Sequence, residues 1–287
     1  MLKNLLLTVA LLLAVSPVLA MEGNADDLLL KGIKGFDLLT SSQKANAIEV
    51  MKSENCYYEC SDTIFKCLSS GNNRAARRLA AFVVRRALTG LPVKELKEDV
   101  QKRAASAFPP VEHKSKLDGL IPYGDKNAPV KAVIYADFEC PYCGIASPSL
   151  KRLVDQLSGK LVMYFKNFPI ISHEHGVECA RALLAAGRQG KFWQMHDKLF
   201  ANVPNFKPEQ LDAYMQQLGM DVNRAHADMK SQDLTDEIRA QKEEGMAFGM
   251  TGTPGIFINN KFYRGDKGGV ELLDRIEEEL EIIEGGE

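Results

Sequence analysis

The chain has 287 residues, enough for one large domain or two modest ones. An apolar share of 45%, a charged share of 26% and a net charge of −2 describe an ordinary globular protein, with no global attraction to nucleic acid or to an anionic membrane. Six cysteines are too few to staple a chain of this length, so its core must come from packing.

At the N-terminus Lys3 precedes an apolar run, Leu5 to Val15, and then Ser16-Pro17-Val18-Leu19-Ala20. A basic start, an apolar stretch of roughly 7–15 residues and small residues before a break are the parts of a secretory signal peptide. The run falls short of the ~20 residues that span hydrocarbon comfortably. Residues 1–20 are therefore expected to be removed after Ala20, and no later segment reads as transmembrane. The mature protein is expected to be soluble, exported and periplasmic, in an oxidising compartment that permits disulfide chemistry.

Residues 21–108 read as a small all-α module. Thr40-Ser41-Ser42 caps a helix to about Lys52, and Ser61-Asp62 caps Thr63 to Leu68. In "RAARRLAAFVVRRALTG", Ala75, Leu79, Phe82 and Val83 share one helical face, with Gly90 as the stop. Pro92 opens a last helix through about Ala107, ended by Pro109-Pro110. Residues 109–128, rich in Lys, Asp, Gly and Pro, have no period and read as a linker.

From Val130 the period changes. "VKAVIYADF" is a strand, "GIASPSLKRLVDQL" a helix and "LVMYFKNF" a second strand, which together make a βαβ unit. A long helical stretch, about residues 174–246, interrupts the domain of residues 129–287. "GTPGIFINNKFYRG" then reads as a hairpin turning at Asn259-Asn260, and "GVELLDRIEEELEII" as a closing amphipathic helix.

The stretch "FECPYCG" places Cys140 and Cys143 three positions apart. That spacing serves metal sites, structural bridges and redox dithiols. Haem attachment requires His after the second cysteine, and Gly144 excludes it. A zinc site needs about four ligands. No second CxxC follows, and His173 and His175 sit beside a helix start where capping or surface roles fit better. At a strand-to-helix junction, with Pro141 in the first turn, free N–H groups and the helix dipole would stabilise a Cys140 thiolate. Cys143, one turn on, would lie beneath it and resolve a mixed disulfide. No metal and no cofactor is expected.

Four separated blocks resemble the DsbA-like branch of the thioredoxin fold: "IPYGDKNAPVKAVIYADFECPYCG", "YFKNFPI", "QGKFWQMHDKLF" and "GTPGIFINN". The resemblance runs from about Pro122 to Ile283 and implies an α/β thioredoxin fold with an inserted helical subdomain. It implies that Cys140 and Cys143 are the catalytic redox pair, flanked by Pro141 and Tyr142. Thr253-Pro254 corresponds to the family's cis-proline loop, where the Thr253 backbone would pair with an extended substrate. A cis X–Pro bond costs only ~0.5–1 kcal/mol. Two departures stand out. Many thioredoxin-fold proteins bury an acidic residue six positions before the first cysteine, and here that position is Ile134. Asp137 instead makes a D-x-x-C pattern, fitting either proton transfer to Cys143 or capping of the active-site helix. Glu139 and Lys166 could tune the site, though a solvated face is the plainer reading of both.

Cys179, on a small-residue helix face, reads as a buried inert thiol. Cys56, Cys60 and Cys67 allow at most one internal bridge and leave one thiol for pairing between subunits, pairing with Cys179, or exchange. Cys56 to Ala107 resembles the helical, cysteine-bearing domain of CcmH-like cytochrome c maturation proteins, but lacks their CxxC. Arg74, Arg77, Arg78 and Arg85 share a helix face. Without interleaved aromatics this reads as a solvated face, and no nucleic-acid partner is expected.

The resulting expectation is a thiol–disulfide oxidoreductase acting on exported proteins with thiols or disulfides and recycled by a membrane or periplasmic redox partner. Disulfide donation is the first expectation, with isomerase or reductase chemistry, oligomerised through residues 21–108, as the alternative. A metal-binding module and a non-catalytic peptide-binding chaperone are the rivals from other classes.

Overall fold

The computed structural model describes residues 25–71, 73–202 and 206–285, so the expected signal segment 1–20 lies outside the described residues. The chain divides into two compact units at the Pro92–Val93 bond.

The first unit contains helices α1 (Ala25–Leu30), α2 (Ser41–Ser53), α3 (Ile64–Ser69) and α4 (Arg74–Leu88), with a 3-10 turn at Phe36–Leu38. Thr40 caps α2 in a reciprocal box with Gln43: the Gln43 N–H donates to Thr40 Oγ1 at 3.3 Å, and the Thr40 N–H to Gln43 Oε1 at 2.9 Å. At α3 the cap is Thr63, whose hydroxyl accepts from the Lys66 N–H at 3.3 Å, while Asp62 accepts the Thr63 N–H. Ala75, Leu79, Phe82 and Val83 are buried as their spacing requires. Arg74 and Arg77 point to solvent, Arg74 pairing with Glu59 at 3.2 Å.

The second unit begins with α5 (Val93–Ala107). This differs from the expectation that the helix closes the N-terminal module at residue 108. The reason is electrostatic. Arg103 is buried and reaches Asp274 at 2.7 Å and Glu278 at 3.3 Å, both on the last helix, α12 (Val270–Gly285). A guanidinium taken out of water needs such partners, and they lie some 170 residues away in sequence.

Strands β1 (Val130–Ala136), β2 (Leu161–Asn167), β3 (Gly255–Ile258) and β4 (Lys261–Phe262) form one sheet in the order β2-β1-β3-β4. The first two are parallel across helix α6 (Pro141–Gln156), and β3 and β4 are antiparallel to their neighbours. Asn259 and Asn260 have φ of 46° and 69°, the left-handed pair that a two-residue hairpin of this type demands. Alternation sorts the two faces. Ala132, Ile134, Met163 and Phe165 join the main core with Cys143 and Leu150 of α6, whereas Val133, Tyr135, Val162 and Tyr164 face a smaller cluster with Phe168 and Phe257. Ile134 is fully buried, so the sheet beneath α6 is apolar at the position six before Cys140.

Residues 109–128, expected to be a linker, lack regular structure but lie within the second unit and are bound to the sheet. The His113 N–H donates to the Asn260 carbonyl at 2.7 Å, and Tyr123 and Met163 exchange backbone bonds of 2.8 and 2.9 Å. The helical stretch between β2 and β3 resolves into α7 (Gly176–Arg188), α8 (Phe192–Phe200), α9 (Gln210–Gln217), α10 (Val222–Met229) and α11 (Gln232–Ala247).

Candidate active site

Strand β1 ends at Ala136, and the chain turns through Asp137-Phe138-Glu139 into α6. Cys140 is the N-cap residue, with extended backbone (φ −78°, ψ 117°), and Pro141 fills the first helical position, where its missing N–H removes no bond. The Cys140 carbonyl accepts from the N–H groups of Cys143 at 3.0 Å and Gly144 at 3.1 Å. Cys143 is thereby one turn on, facing the core and fully buried, while Cys140 is 6% exposed. Tyr142 is 69% exposed and Ile145 60%, so the helix start presents apolar surface beside the sulfurs.

Opposite stands the loop before β3, where the Thr253–Pro254 peptide bond is cis. The Cys140 sulfur lies 3.5 Å from the Thr253 carbonyl oxygen. Hydrogen bonding from the Cys143 thiol, the Thr253 hydroxyl and the N–H groups of Cys143 and Tyr142 outweighs burial and lowers the Cys140 pKa to about 5. Burial, first, and the bond to Cys140 push the Cys143 thiol far above its ordinary range. One sulfur is ionised at neutral pH and its neighbour keeps its proton. A thiolate is the attacking species in thiol–disulfide exchange, so one ionised sulfur beside one protonated sulfur is an arrangement suited to that chemistry.

Asp137 does not cap α6, whose N-cap is Cys140. Its buried carboxylate accepts the Glu139 N–H at 2.8 Å and the Ile170 N–H at 2.6 Å and lies 2.9 Å from His173 Nδ1. Glu139 is half-buried and accepts the His175 N–H at 2.6 Å, at the entry to α7. Both carboxylates therefore tie the active-site turn to the β2–α7 connection. The solvated reading of Glu139 and Lys166 is overturned. Lys166 is 3% exposed, paired with Glu244 of α11, which also accepts from the Tyr135 hydroxyl at 2.6 Å and the Lys116 N–H at 2.7 Å. It lies on the face of the sheet away from α6 and does not reach the cysteines' side. Burying its ammonium lowers the Lys166 pKa, with Glu244 opposing.

The His173 ring lies beside Asp137, whereas His175 meets Glu139 only through its backbone N–H and turns its ring toward Glu178 and Phe206. Among the described residues the one grouping with metal-ligand proximity is Asp137, Glu139 and His173, with donor atoms within 4.8 Å of one another, and it contains no sulfur. The carboxylates in it already accept backbone N–H groups. Cys179 is fully buried and its thiol is pushed up, first by burial and then by the charge of Glu139. Gly176 escaped sequence reasoning altogether. A Cβ there would stand 2.9 Å from Asp137 Oδ2, so only glycine lets that carboxylate reach the connection it holds.

The sequence profile described as Thioredoxin matches residues 116–278, more than half of the chain. This chain belongs to the thioredoxin family. Within that family its fold is DsbA-like. BdbD from Bacillus subtilis superposes with a TM-score of 0.53 at 20% identity, over 60% of this chain and 98% of the other. The thiol-disulfide exchange protein alpha-DsbA2 from Wolbachia pipientis gives 0.50 at 19% identity, over 63% and 94%. In sequence, the Na(+)/H(+) antiporter NhaA 3 of Salinispora tropica is 35% identical over 144 residues, which are 50% of this chain and 22% of the antiporter. The chain thus spans about a fifth of the length of that curated relative. Among the described residues, no helix of this thioredoxin-family chain is long and apolar enough to cross a membrane.

Proposed function

We propose that this chain is an exported thiol–disulfide oxidoreductase that donates the Cys140–Cys143 disulfide to protein substrates. The observation that carries the reading is the pairing of a Cys140 thiol lowered to about 5 with a buried, protonated Cys143 across one helical turn. In the oxidised site, a substrate thiolate attacks the Cys140 sulfur and Cys143 leaves. A second substrate thiolate then displaces Cys140, and the substrate gains its disulfide. Cys140 is the better final leaving group because its thiolate is stabilised by the hydrogen bonds that surround it. Stabilising the reduced form in this way makes a dithiol oxidising, which is what favours donation over reduction.

The exposed Tyr142 and the Thr253–Pro254 loop would bind an extended substrate segment between them. Export to the periplasm rests on the pattern Lys3, Leu5 to Val15 and Ala20. A membrane or periplasmic partner would reoxidise the site, and the helical N-terminal module would serve self-association. The test is refolding of a reduced, unfolded model protein together with a glutathione titration of the pair. Wild-type protein should catalyse disulfide formation, Cys140→Ser should lose it, and Cys143→Ser, with oxidised glutathione as the electron acceptor, should accumulate a mixed disulfide through Cys140. Undiminished catalysis by Cys140→Ser sinks the reading, and a potential near the ~−270 mV of thioredoxin sinks the direction.

A further inference from the structure

The first unit holds sulfur chemistry that the Cys140–Cys143 pair does not use. Cys60 and Cys67 are joined by a disulfide with a Cα separation of 6.2 Å, and Cys56 beside them carries a free, buried thiol. The backbone brings this third cysteine to the bridge. An isolated β-bridge between Asn55 and Thr63 folds the segment back on itself, with the Cys56 N–H donating to the Asp62 carbonyl and the Ile64 N–H to the Glu54 carbonyl, both at 2.9 Å. The same Asp62 carbonyl oxygen lies 3.4 Å from the Cys67 sulfur. One oxygen thus has the Cys56 amide on one side and half of the disulfide on the other.

The loop is also held by bonds that do not involve the disulfide. Glu59, with φ of 60°, sends its carboxylate to the Ala75 N–H at 3.3 Å and to Arg74 at 3.2 Å, and Thr63 caps α3. Breaking the Cys60–Cys67 bond leaves these anchors in place. A reduced Cys67 thiol already has its acceptor in the Asp62 carbonyl.

We propose that Cys56, Cys60 and Cys67 form a second thiol–disulfide exchange site, separate from Cys140–Cys143, in which the unpaired thiol moves between buried Cys56 and partly exposed Cys60. Cys56 gives its proton to water and its thiolate attacks the Cys67 sulfur. The Cys56–Cys67 bond forms as the Cys60–Cys67 bond breaks, and the electron pair leaves on Cys60, which takes a proton from water. One disulfide and one thiol are present before and after, so no oxidant or reductant is needed. The exchange turns a concealed thiol into an accessible one, able to attack a disulfide of a small molecule or of another protein. Burial, and then the charge of Glu59, push the Cys56 thiol up to about 11. The site therefore rests with Cys56 protonated, and the exchange rate should rise about tenfold per pH unit through the neutral and mildly alkaline range.

The test uses the full chain with Cys140→Ser and Cys143→Ser, so its result does not depend on the function proposed for that pair. The oxidised protein is held at about pH 7 and about pH 10, quenched in acid, unfolded and labelled with N-ethylmaleimide, and the labelled cysteines are mapped by mass spectrometry. Label is expected to move from Cys56 to Cys60, about tenfold faster per pH unit and at a rate independent of protein concentration. Cys56→Ser should stop it. Label on Cys56 alone among the three, at every pH where the circular dichroism stays native, overturns the proposal. Should the spectrum change at the higher pH, oxidised glutathione at about pH 7.5 decides, because it traps an emerging Cys60 thiol and releases one reduced glutathione. A Cys60–glutathione adduct in molecules that hold a Cys56–Cys67 bridge supports the proposal, and glutathione on Cys56 alone, or no adduct, overturns it.

Discussion

The Cys140 sulfur lies 3.5 Å from the carbonyl oxygen of Thr253, a residue 113 positions away in the chain. A helix N-terminus alone supplies N–H groups to a sulfur. Here a second loop encloses it, adds the Thr253 hydroxyl and leaves Cys140 only 6% exposed.

The thiolate makes the stability of the reduced protein depend on pH. Hydrogen bonding, led by the Cys143 thiol, lowers the Cys140 pKa from 9.0 to about 5. A depressed folded-state pKa contributes stability that is complete above the unfolded value, near 9, and is lost as pH falls through about 5. At pH 7 this amounts to about 2–3 kcal/mol, present in the reduced form and absent from the oxidised one. Urea unfolding of both forms between about pH 4 and pH 9 measures it. A reduced-minus-oxidised difference that stays flat across this range contradicts the assignment.

Thr253→Val should raise the Cys140 pKa by about one to two units, since a hydrogen bond to a charged group is worth about 1.5–3 kcal/mol. Thiolate absorbance near 240 nm, followed against pH, reads the shift. The same variant should be less oxidising in a glutathione titration. An unmoved titration midpoint would assign the low pKa to α6 and Cys143 alone.

Gly176→Ala should destabilise the fold by about 1–3 kcal/mol, the usual cost of forcing extra volume into a packed site. The new methyl would meet the Asp137 carboxylate at 2.9 Å, and that carboxylate cannot move without dropping the Ile170 or Glu139 N–H. Thermal unfolding gives the loss directly. A variant as stable as wild type shows that the β2–α7 connection can shift.

Lys166→Met separates stability from redox chemistry. It leaves Glu244 with its ammonium partner removed, and breaking a largely buried pair costs about 3–5 kcal/mol. Because Lys166 faces away from α6, the thiolate titration of Cys140 should be unchanged. A moved Cys140 midpoint in a variant that still folds would show that the two faces of the sheet are electrostatically coupled.

Much of this was legible in the sequence because it is written locally. Cys140 and Cys143 are three residues apart, the strand before them and the helix after them each carry their own period, and Asn259-Asn260 needs only its own backbone preference to make a turn. Helix α5 shows where local reading stops. Pro92 before it and Pro109-Pro110 after it predict the helix, but its place in the second unit depends on Arg103 meeting Asp274 and Glu278. Lys166 reads as a surface lysine until Glu244 and Tyr135 arrive from elsewhere in the chain. Gly176 carries no signal at all, because what excludes a side chain there is the carboxylate of Asp137.

The sequence by itself determined the spacing of Cys140 and Cys143, their order along α6 and, through four blocks that resemble it, the family of the surrounding domain, since spacing and short motifs are properties of neighbouring residues. The tertiary structure decided what those sulfurs are chemically. Cys140 is acidic because the Cys143 thiol, and then Thr253, hydrogen-bond to it, Cys143 is held protonated because the core buries it, and Asp137 is bound to the β2–α7 connection rather than to α6. Burial and through-space hydrogen bonding set a pKa, and both depend on which distant segments the fold brings together.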